Sequence, residues 1–333
     1  MAHLHDTAGG CIATATSCRL TTPASLQFTT AHQAPAAPAL ALLRHGLAGA
    51  IPLPLLAGPA LDLWLGAGAF SSGQIGPVHW RRMGDAAFLH YTLPDADWRR
   101  HPAAAAEEVY RALEMARAAL GVPHWWRFWN YLGGIVEGKG DAEHYRQFTL
   151  GRHRAWEAAG LLSAPLPAAT AIGCTSGLHV FALAGRSAPV PIENPRQVNA
   201  WRYPREYGEK PPSFVRAALL REGDIGWLFV SGTASIVGHE SRHVGDARAQ
   251  LDEARANLDA VLAAAAQHAG LPQSALRPRN FKLYWSSPED AASHADATAL
   301  FAALAPTQVL HGTVCRRELA VEIEALYALD ARA

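Results

Sequence analysis

The chain has few of the features that mark several protein classes. Its four cysteines, Cys11, Cys18, Cys174 and Cys315, are too few and too scattered for a disulfide framework or a four-ligand zinc site. That usage fits the cytoplasm. Neither charge is in excess, with 29 basic and 29 acidic side chains and no Lys/Arg cluster. The sequence therefore carries no electrostatic footprint for a nucleic acid or an anionic membrane. Long apolar runs are missing too. The most apolar stretch, about 36–70, is interrupted by Arg44, His45, Asp62 and several prolines. It never offers the ~18 uninterrupted apolar residues of a membrane span. The N-terminus lacks the basic region and apolar core of a signal peptide. Neither G-x-x-x-x-G-K-S/T nor a helix-opening G-x-G-x-x-G occurs, and Ser176-Gly177 and Ser231-Gly232-Thr233 lack the G-x-S-x-G of a nucleophile elbow. What is present is apolar content, half of 333 residues, which excludes disorder and suggests about two domains. A small-molecule site is the default.

Residues 1–45 are rich in Ala, Thr and Pro with little periodicity, so an irregular segment is expected there. Beyond it one order of elements occurs twice, dividing the chain into units at 46–190 and 191–333. In the second, 226–231 (GWLFVS) reads as a buried strand. Asp246 caps a long helix with the stripe Leu251, Ala254, Leu258, Val261 and Leu262, ending at Gly270. A strand at 281–285, a helix from 287 to about 305 and a strand at 318–326 (ELAVEIEAL) complete a β-α-β-α-β order. The first half matches it with a strand at 87–93, a helix at 103–120, a strand at 124–131, a helix at 141–159 and a strand at 178–184. Aligning Cys174-x-x-x-Leu178 on Cys315-x-x-x-Leu319 sets Phe181 opposite Glu322 and Leu183 opposite Glu324. One half keeps carboxylates where the other is apolar, so one active site per chain is expected.

Glu322 and Glu324 share one face of their strand, with Val321 and Ile323 on the other. Two readings stay open. A carboxyl desolvated among Val, Ile, Leu and Ala has a raised pKa and serves as a general acid near neutral pH; a solvent-facing edge strand leaves both ordinary. The segment 193–217 interleaves Arg196, Arg202, Arg205, Lys210 and Arg216 with Trp201, Tyr203, Tyr207 and Phe214. It is either an inter-domain linker or a wall of forked, ring-stacking guanidiniums suited to a small carboxylate-bearing ring. Arg146 and Arg152, in YRQF and GR, are a second such pair or a solvated helix face. Trp125, Trp126 and Trp129 read as core of a strand packed on both sides. His239-Glu240-Ser241-Arg242-His243 matches H-E-x-x-H, but only a helix brings both imidazoles to one metal. This segment lies between Gly238 and Gly245 after a strand and reads as a loop, so no metal site is assigned.

LFVSGTASIVG (228–238), GDARAQLDEARANLDAVL (245–262) and CRRELAVEIEAL (315–326) resemble the RidA/YjgF-type fold. More specifically, WNY (129–131), YRQF (145–148), GR (151–152), ENPRQ (193–197), PPSF-x-RA (211–217) and SGTASIVGH (231–239) resemble the chorismatase family, whose members hold two RidA-like units in one chain. The resemblance covers about 60–328. It implies an α+β fold of two units, each a mixed sheet with two helices on one face, and cofactor-free release of pyruvate from chorismate. By resemblance Glu322 is the acid that protonates the enolpyruvyl methylene carbon, and Cys315 marks the hydroxybenzoate-forming branch and steers the product. That branch yields 3-hydroxybenzoate alone or with 4-hydroxybenzoate; the other yields a dihydroxy-cyclohexadiene carboxylate. RidA-type sites lie between units, so Arg152 and Arg146 of the first half are expected beside Arg202, Tyr207, Phe214, Gly232, Cys315 and Glu322 of the second. Arg152 and Arg202 are the leading partners for the substrate carboxylates. Arg316 either shares the Glu322 face or precedes the strand. An imine/enamine hydrolase and a non-catalytic binding protein are the competing classes, and a monomer or a homotrimer is expected.

Overall fold

The computed structural model describes residues 26–31, 39–42, 49–66, 70–222 and 225–330. Five strands come first: β1 (Leu26–Ala31), β2 (Ala39–Leu42), β3 (Gly49–Ala50), β4 (Leu55–Ala57) and β5 (Leu61–Gly66). All but β4 form a sheet in the order β1-β5-β2-β3. The stretch 1–45, expected to be irregular, thus supplies two strands. Both ladder edges of β5 recruit them, β1 antiparallel and β2 parallel, and such pairing leaves no periodic trace in the sequence. The rest of that stretch lies outside the described residues.

The first unit runs β6 (Phe70–Ile75), β7 (Val78–Met83), β8 (Ala86–Leu93), α1 (Asp95–Arg100), α2 (Pro102–Ala119), β9 (His124–Gly133), α3 (His144–Ala158), β10 (Ala168–Cys174) and β11 (Leu178–Gly185). Its sheet has the order β10-β9-β11-β8-β7-β6. The second runs β12 (Val190–Ile192), β13 (Ala217–Glu222), β14 (Ile225–Ala234), the hairpin β15 (Ile236–Val237) and β16 (Glu240–Ser241), α4 (Ala247–Ala269), β17 (Leu276–Trp285), α5 (Pro288–Ser293), α6 (Ala295–Ala302), β18 (Thr307–His311) and β19 (Val321–Asp330). Its sheet has the order β12-β13-β14-β19-β17-β18-β4. The two expected α+β units are present, each a mixed sheet with helices on one face. β4 joins the second sheet although it precedes residue 190, and β12 spans the expected boundary at 190/191.

Four local expectations are corrected. Each unit has more strands than the three expected, β6, β7 and β10 in the first and β12, β13, β15, β16 and β18 in the second; β10 pairs parallel with β9, and β18 with β17, across their helical crossovers. The helix expected over 287–305 is two short ones, because His294 (φ −114°, ψ 28°) leaves helical geometry and stacks on Trp285 at 5.5 Å. The helix expected from Asp141 starts at His144, Asp141 lying in a separate 3-10 turn. The last strand begins at Val321, not 318, since a turn closes with Leu319 N–H donating to Arg316 C=O at 3.1 Å.

Helices α2 and α3 cover one face of the first sheet, burying Val109, Leu113 and Trp156 against Leu89, Phe128 and Val180. Helix α4 covers the second, its stripe Leu251, Ala254, Leu258, Val261 and Leu262 meeting Leu228, Ile323 and Tyr327. Asp246 caps α4 by accepting from Ala249 N–H at 2.9 Å. The opposite faces of the two sheets meet in a third layer, where Trp126, Trp129, Phe181 and Leu183 face Phe229, Tyr284, Leu326 and Ala328. Period-two alternation puts Glu322 and Glu324 on this inter-sheet face with Leu326 and Ala328, while Val321, Ile323 and Ala325 face α4. No helix among the described residues is long and apolar enough to cross a membrane.

Candidate active site

The inter-sheet layer opens at one end into a cavity of about 190 Å³. The first unit lines it with Glu143, Tyr145, Arg146 and Arg152 from the start and middle of α3, and with Ala169, Thr170 and Ala171 of β10. The second unit contributes Tyr203, Tyr207, Phe214 and Arg216 from the segment before β13, Gly232 and Ala234 of β14, and Cys315, Arg316 and Glu322. Two units build one site.

Glu322 is 5% exposed, which removes the edge-strand reading. Burial pushes its carboxyl up to about 8, the Glu324 charge adding to the shift while Arg127 and Arg216 oppose it. The carboxyl lies over Gly232. A Cβ there would stand 1.8 Å from Glu322 Oε1, so only glycine leaves the seat open. Between Val230 and Thr233 the β14 register against β19 slips, a bulge that lets Gly232 leave the ladder beside Glu322.

Two residues along the same strand the environment reverses. Glu324 accepts hydrogen bonds from Trp129 Nε1 (2.7 Å), Tyr284 Oη (2.9 Å) and Thr170 Oγ1 (2.9 Å). It also pairs with Arg127 at 2.8 Å and Lys282 at 3.1 Å, and Lys282 reaches Asp62 at 2.6 Å. Burial alone would raise its pKa, but the Lys282 and Arg127 charges and the donated bonds bring it down to about 2. At neutral pH these shifts favour the protonated form of Glu322 and the ionised form of Glu324.

Arg152 follows the helix contact that places it. At Gly151 a Cβ would meet Ala103 C=O at 2.0 Å, so α3 crosses α2 in contact there. The Arg152 guanidinium, 2% exposed, is caged by Tyr110, Phe148 and Trp156 with ring centroids at 5.7, 5.5 and 5.3 Å. Its Nε and Nη2 have no hydrogen-bond partner among the described residues. A buried cation with unpartnered donors at a cavity wall calls for an anion. Arg216 resembles it: buried, stacked on Tyr203 and Phe214, donating through Nη2 to Tyr203 Oη at 2.8 Å, with Nε unpartnered. Arg316 precedes β19, lies 4.1 Å over the Tyr207 ring and donates to His239 C=O at 2.9 Å. Burial pushes the Cys315 thiol up to about 12, with Glu322 contributing, so it is a neutral wall group.

Of the residues named from sequence, Glu322, Cys315, Arg152, Arg146, Tyr207, Phe214 and Gly232 all line the cavity. Arg146 stands at the rim, 3.8 Å from Glu143 and 4.0 Å from Asp141. Arg202 is the exception. It ends the 3-10 turn Ala200–Arg202, is exposed, and stacks outward on Trp201 at 4.5 Å, so Arg216 stands in the place expected of it. Thr170 has no signal in the sequence reading, and Tyr145 enters it only within YRQF; Tyr203 and Arg216 belong to the interleaved pattern of 193–217, which does not distinguish which guanidinium turns inward. The H-E-x-x-H segment forms the β15–β16 hairpin, not a helix. His239 Nδ1 lies 3.2 Å from Tyr207 Oη, and His243 Nε2 3.1 Å from Glu253.

One cleft between two α+β units thus holds a buried carboxyl and two buried, ring-stacked guanidiniums, the arrangement of a small-molecule site shared by paired units. A family model described as "Chorismatase FkbO/Hyg5-like, N-terminal" matches residues 62–184. A chorismatase of Streptomyces rapamycinicus is 36% identical over 280 residues, covering 80% of this chain and 82% of that protein. A 3-hydroxybenzoate synthase of Streptomyces hygroscopicus is 35% identical over 280 residues, covering 80% and 81%. The crystal structure of a chorismatase matches with a TM-score of 0.74 at 25% identity, covering 92% of this chain and 100% of that one. The chain belongs to the chorismatase family.

Proposed function

We propose that the protein cleaves the enolpyruvyl ether of chorismate to pyruvate and 3-hydroxybenzoate, alone or with 4-hydroxybenzoate, with Glu322 as general acid. The observation that carries this reading is a buried carboxyl, raised to about 8, in a cavity walled by two guanidiniums with unpartnered donors. Chorismate has two carboxylates, one on the ring and one on the enolpyruvyl group. Arg152 of the first unit and Arg216 of the second, both lining the cavity, suit one each. The Glu322 proton goes to the methylene carbon, the C=C electron pair forms the new C–H bond, and positive charge develops at the ether carbon. The Glu322 carboxylate left behind faces that charge.

The product then depends on what captures the cation. Water leads to the non-aromatic diol carboxylate. Alternatively the neighbouring ring hydroxyl attacks the ring carbon that bears the ether: that C–O bond breaks, its electron pair completes the keto group of pyruvate, and the hydroxyl proton returns to the Glu322 carboxylate. Isomerisation of the resulting ring epoxide gives hydroxybenzoate, so that the two products together hold every atom of chorismate. The neutral Cys315 thiol on the cavity wall supports the second course by occupying space without offering a charge or a nucleophile at neutral pH. A relative named 3-hydroxybenzoate synthase supports it as well. The test is incubation of metal-stripped protein with chorismate and chromatography of the products. Pyruvate with hydroxybenzoate is expected. Pyruvate with the diol would remove the role given to Cys315, and no pyruvate from folded protein would remove the reading and favour an imine hydrolase.

A further inference from the structure

Glu322 has a peculiarity that its burial alone does not explain: among the described residues no side chain or backbone N–H donates a hydrogen bond to it. The backbone donor beside it is engaged elsewhere. That donor belongs to Gly232, over whose open Cα the Glu322 carboxyl sits. The bulge in β14 frees the Gly232 N–H from the ladder to β19, yet it donates to Thr170 Oγ1 at 3.1 Å. Thr170 in turn donates to Glu324 Oε2 at 2.9 Å and accepts from Arg127. Its hydroxyl is thereby fixed: the proton points to Glu324 and the lone pairs toward Gly232 and Arg127. Thr170 is 2% exposed, on β10 of the first unit, and reaches across the layer to Glu324 and to the Gly232 N–H beside Glu322.

We propose that Thr170 is a positioning residue which, by accepting the Gly232 N–H, withholds that donor from Glu322 and keeps the Glu322 carboxyl protonated for its transfer. Donors to a carboxylate stabilise its charged form, so a freed N–H beside Glu322 would favour ionisation. The inference rests on the reading of Glu322 as the acid, and deepens it by assigning the residue that maintains the acid's state. The charged and titratable groups around Glu322 are Glu324, Arg127, Arg216, Cys315, Tyr145 and Arg152. Thr170→Val removes none of them and keeps the side-chain shape.

The experiment is a pH titration of the Glu322 carboxyl by difference infrared spectroscopy without substrate, the band assigned by its loss in Glu322→Gln, run beside the pH profile of pyruvate release. In Thr170→Val both midpoints are expected to move down by about one unit, because the N–H is released to the carboxylate. Thr170→Ser, which retains the hydroxyl, is expected to keep the wild-type midpoints, and Thr170→Ala replaces the valine variant if that does not fold. Unmoved midpoints in the hydroxyl-less variant, or an equal shift in Thr170→Ser, would overturn the proposal. A shifted infrared midpoint in a protein whose wild type releases no pyruvate would instead uphold the role of Thr170 and remove the role of Glu322 as acid in this reaction.

Discussion

Glu322 and Glu324 lie two residues apart on one strand face, equally buried at 5% exposure, and differ in almost everything chemical. At the cavity end Glu322 has an empty seat, a glycine beneath it and no donor among the described residues. At the closed end Glu324 holds donors from Trp129, Thr170 and Tyr284 and lies against Lys282 and Arg127. Burial raises both carboxyls, and what separates them is the Lys282 and Arg127 charges and the donated hydrogen bonds gathered at Glu324. The closed end also ties the molecule together, since Arg127, Trp129 and Thr170 come from the first unit, Lys282 and Tyr284 from the second, and Asp62 from β5. The fixed Glu324 charge is felt by Glu322, so the structural end helps to tune the chemical one.

Exchanging each carboxyl for its amide breaks the comparison most sharply. Glu322→Gln is expected to lower pyruvate release about 100-fold or more while leaving the protein folded. Glu324→Gln leaves Arg127 without its carboxylate and Lys282 with Asp62 alone, and is expected to cost about 3–5 kcal/mol in denaturant unfolding. The pH dependence of stability separates them by sign. Glu322, raised in the folded state, contributes stability that is present below the ordinary carboxyl range and lost as pH rises toward 8; Glu322→Gln should flatten that decline. Glu324, lowered in the folded state, contributes stability present above that range and lost as pH falls toward 2, a loss absent from Glu324→Gln. Equal pH profiles in the two variants would contradict the distinction.

A smaller contrast tests the cavity wall. Arg152→Ala is expected to raise the KM for chorismate about 10- to 100-fold through the loss of charged hydrogen bonds. Arg202→Ala removes an exposed guanidinium stacked on Trp201 and is expected to change KM by less than about two-fold. Steady-state kinetics on the two variants decides it, and a larger effect at Arg202 would return that residue to the site.

The closed and open ends were not equally legible in the sequence. Strand periodicity put Glu322 and Glu324 on one face and Val321 and Ile323 on the other, because alternation is a local property of any strand. The doubled order of elements was legible for the same reason, as was the cap at Asp246. What escaped depends on contacts across the chain. The strand of Ala168–Cys174 has small residues and no alternation, so β10 was missed, and with it Thr170, the residue that touches both carboxylates' surroundings. Arg127 and Lys282 sit mid-strand among aromatics, where only the tertiary meeting with Glu324 and Asp62 explains a buried cation. Arg202 and Arg216 look alike in sequence. One ends a surface turn and the other directly precedes β13, and that decides which faces the cavity.

The most direct test is the rate of pyruvate release from chorismate between pH 5 and 10, under conditions where the protein stays folded. A protonated Glu322 predicts a rate that is sustained through neutral pH and falls as pH rises past about 8, the limb being absent from the residual activity of Glu322→Gln. A rate that rises with pH through that range would mean that the group acts as a base, and would contradict the account.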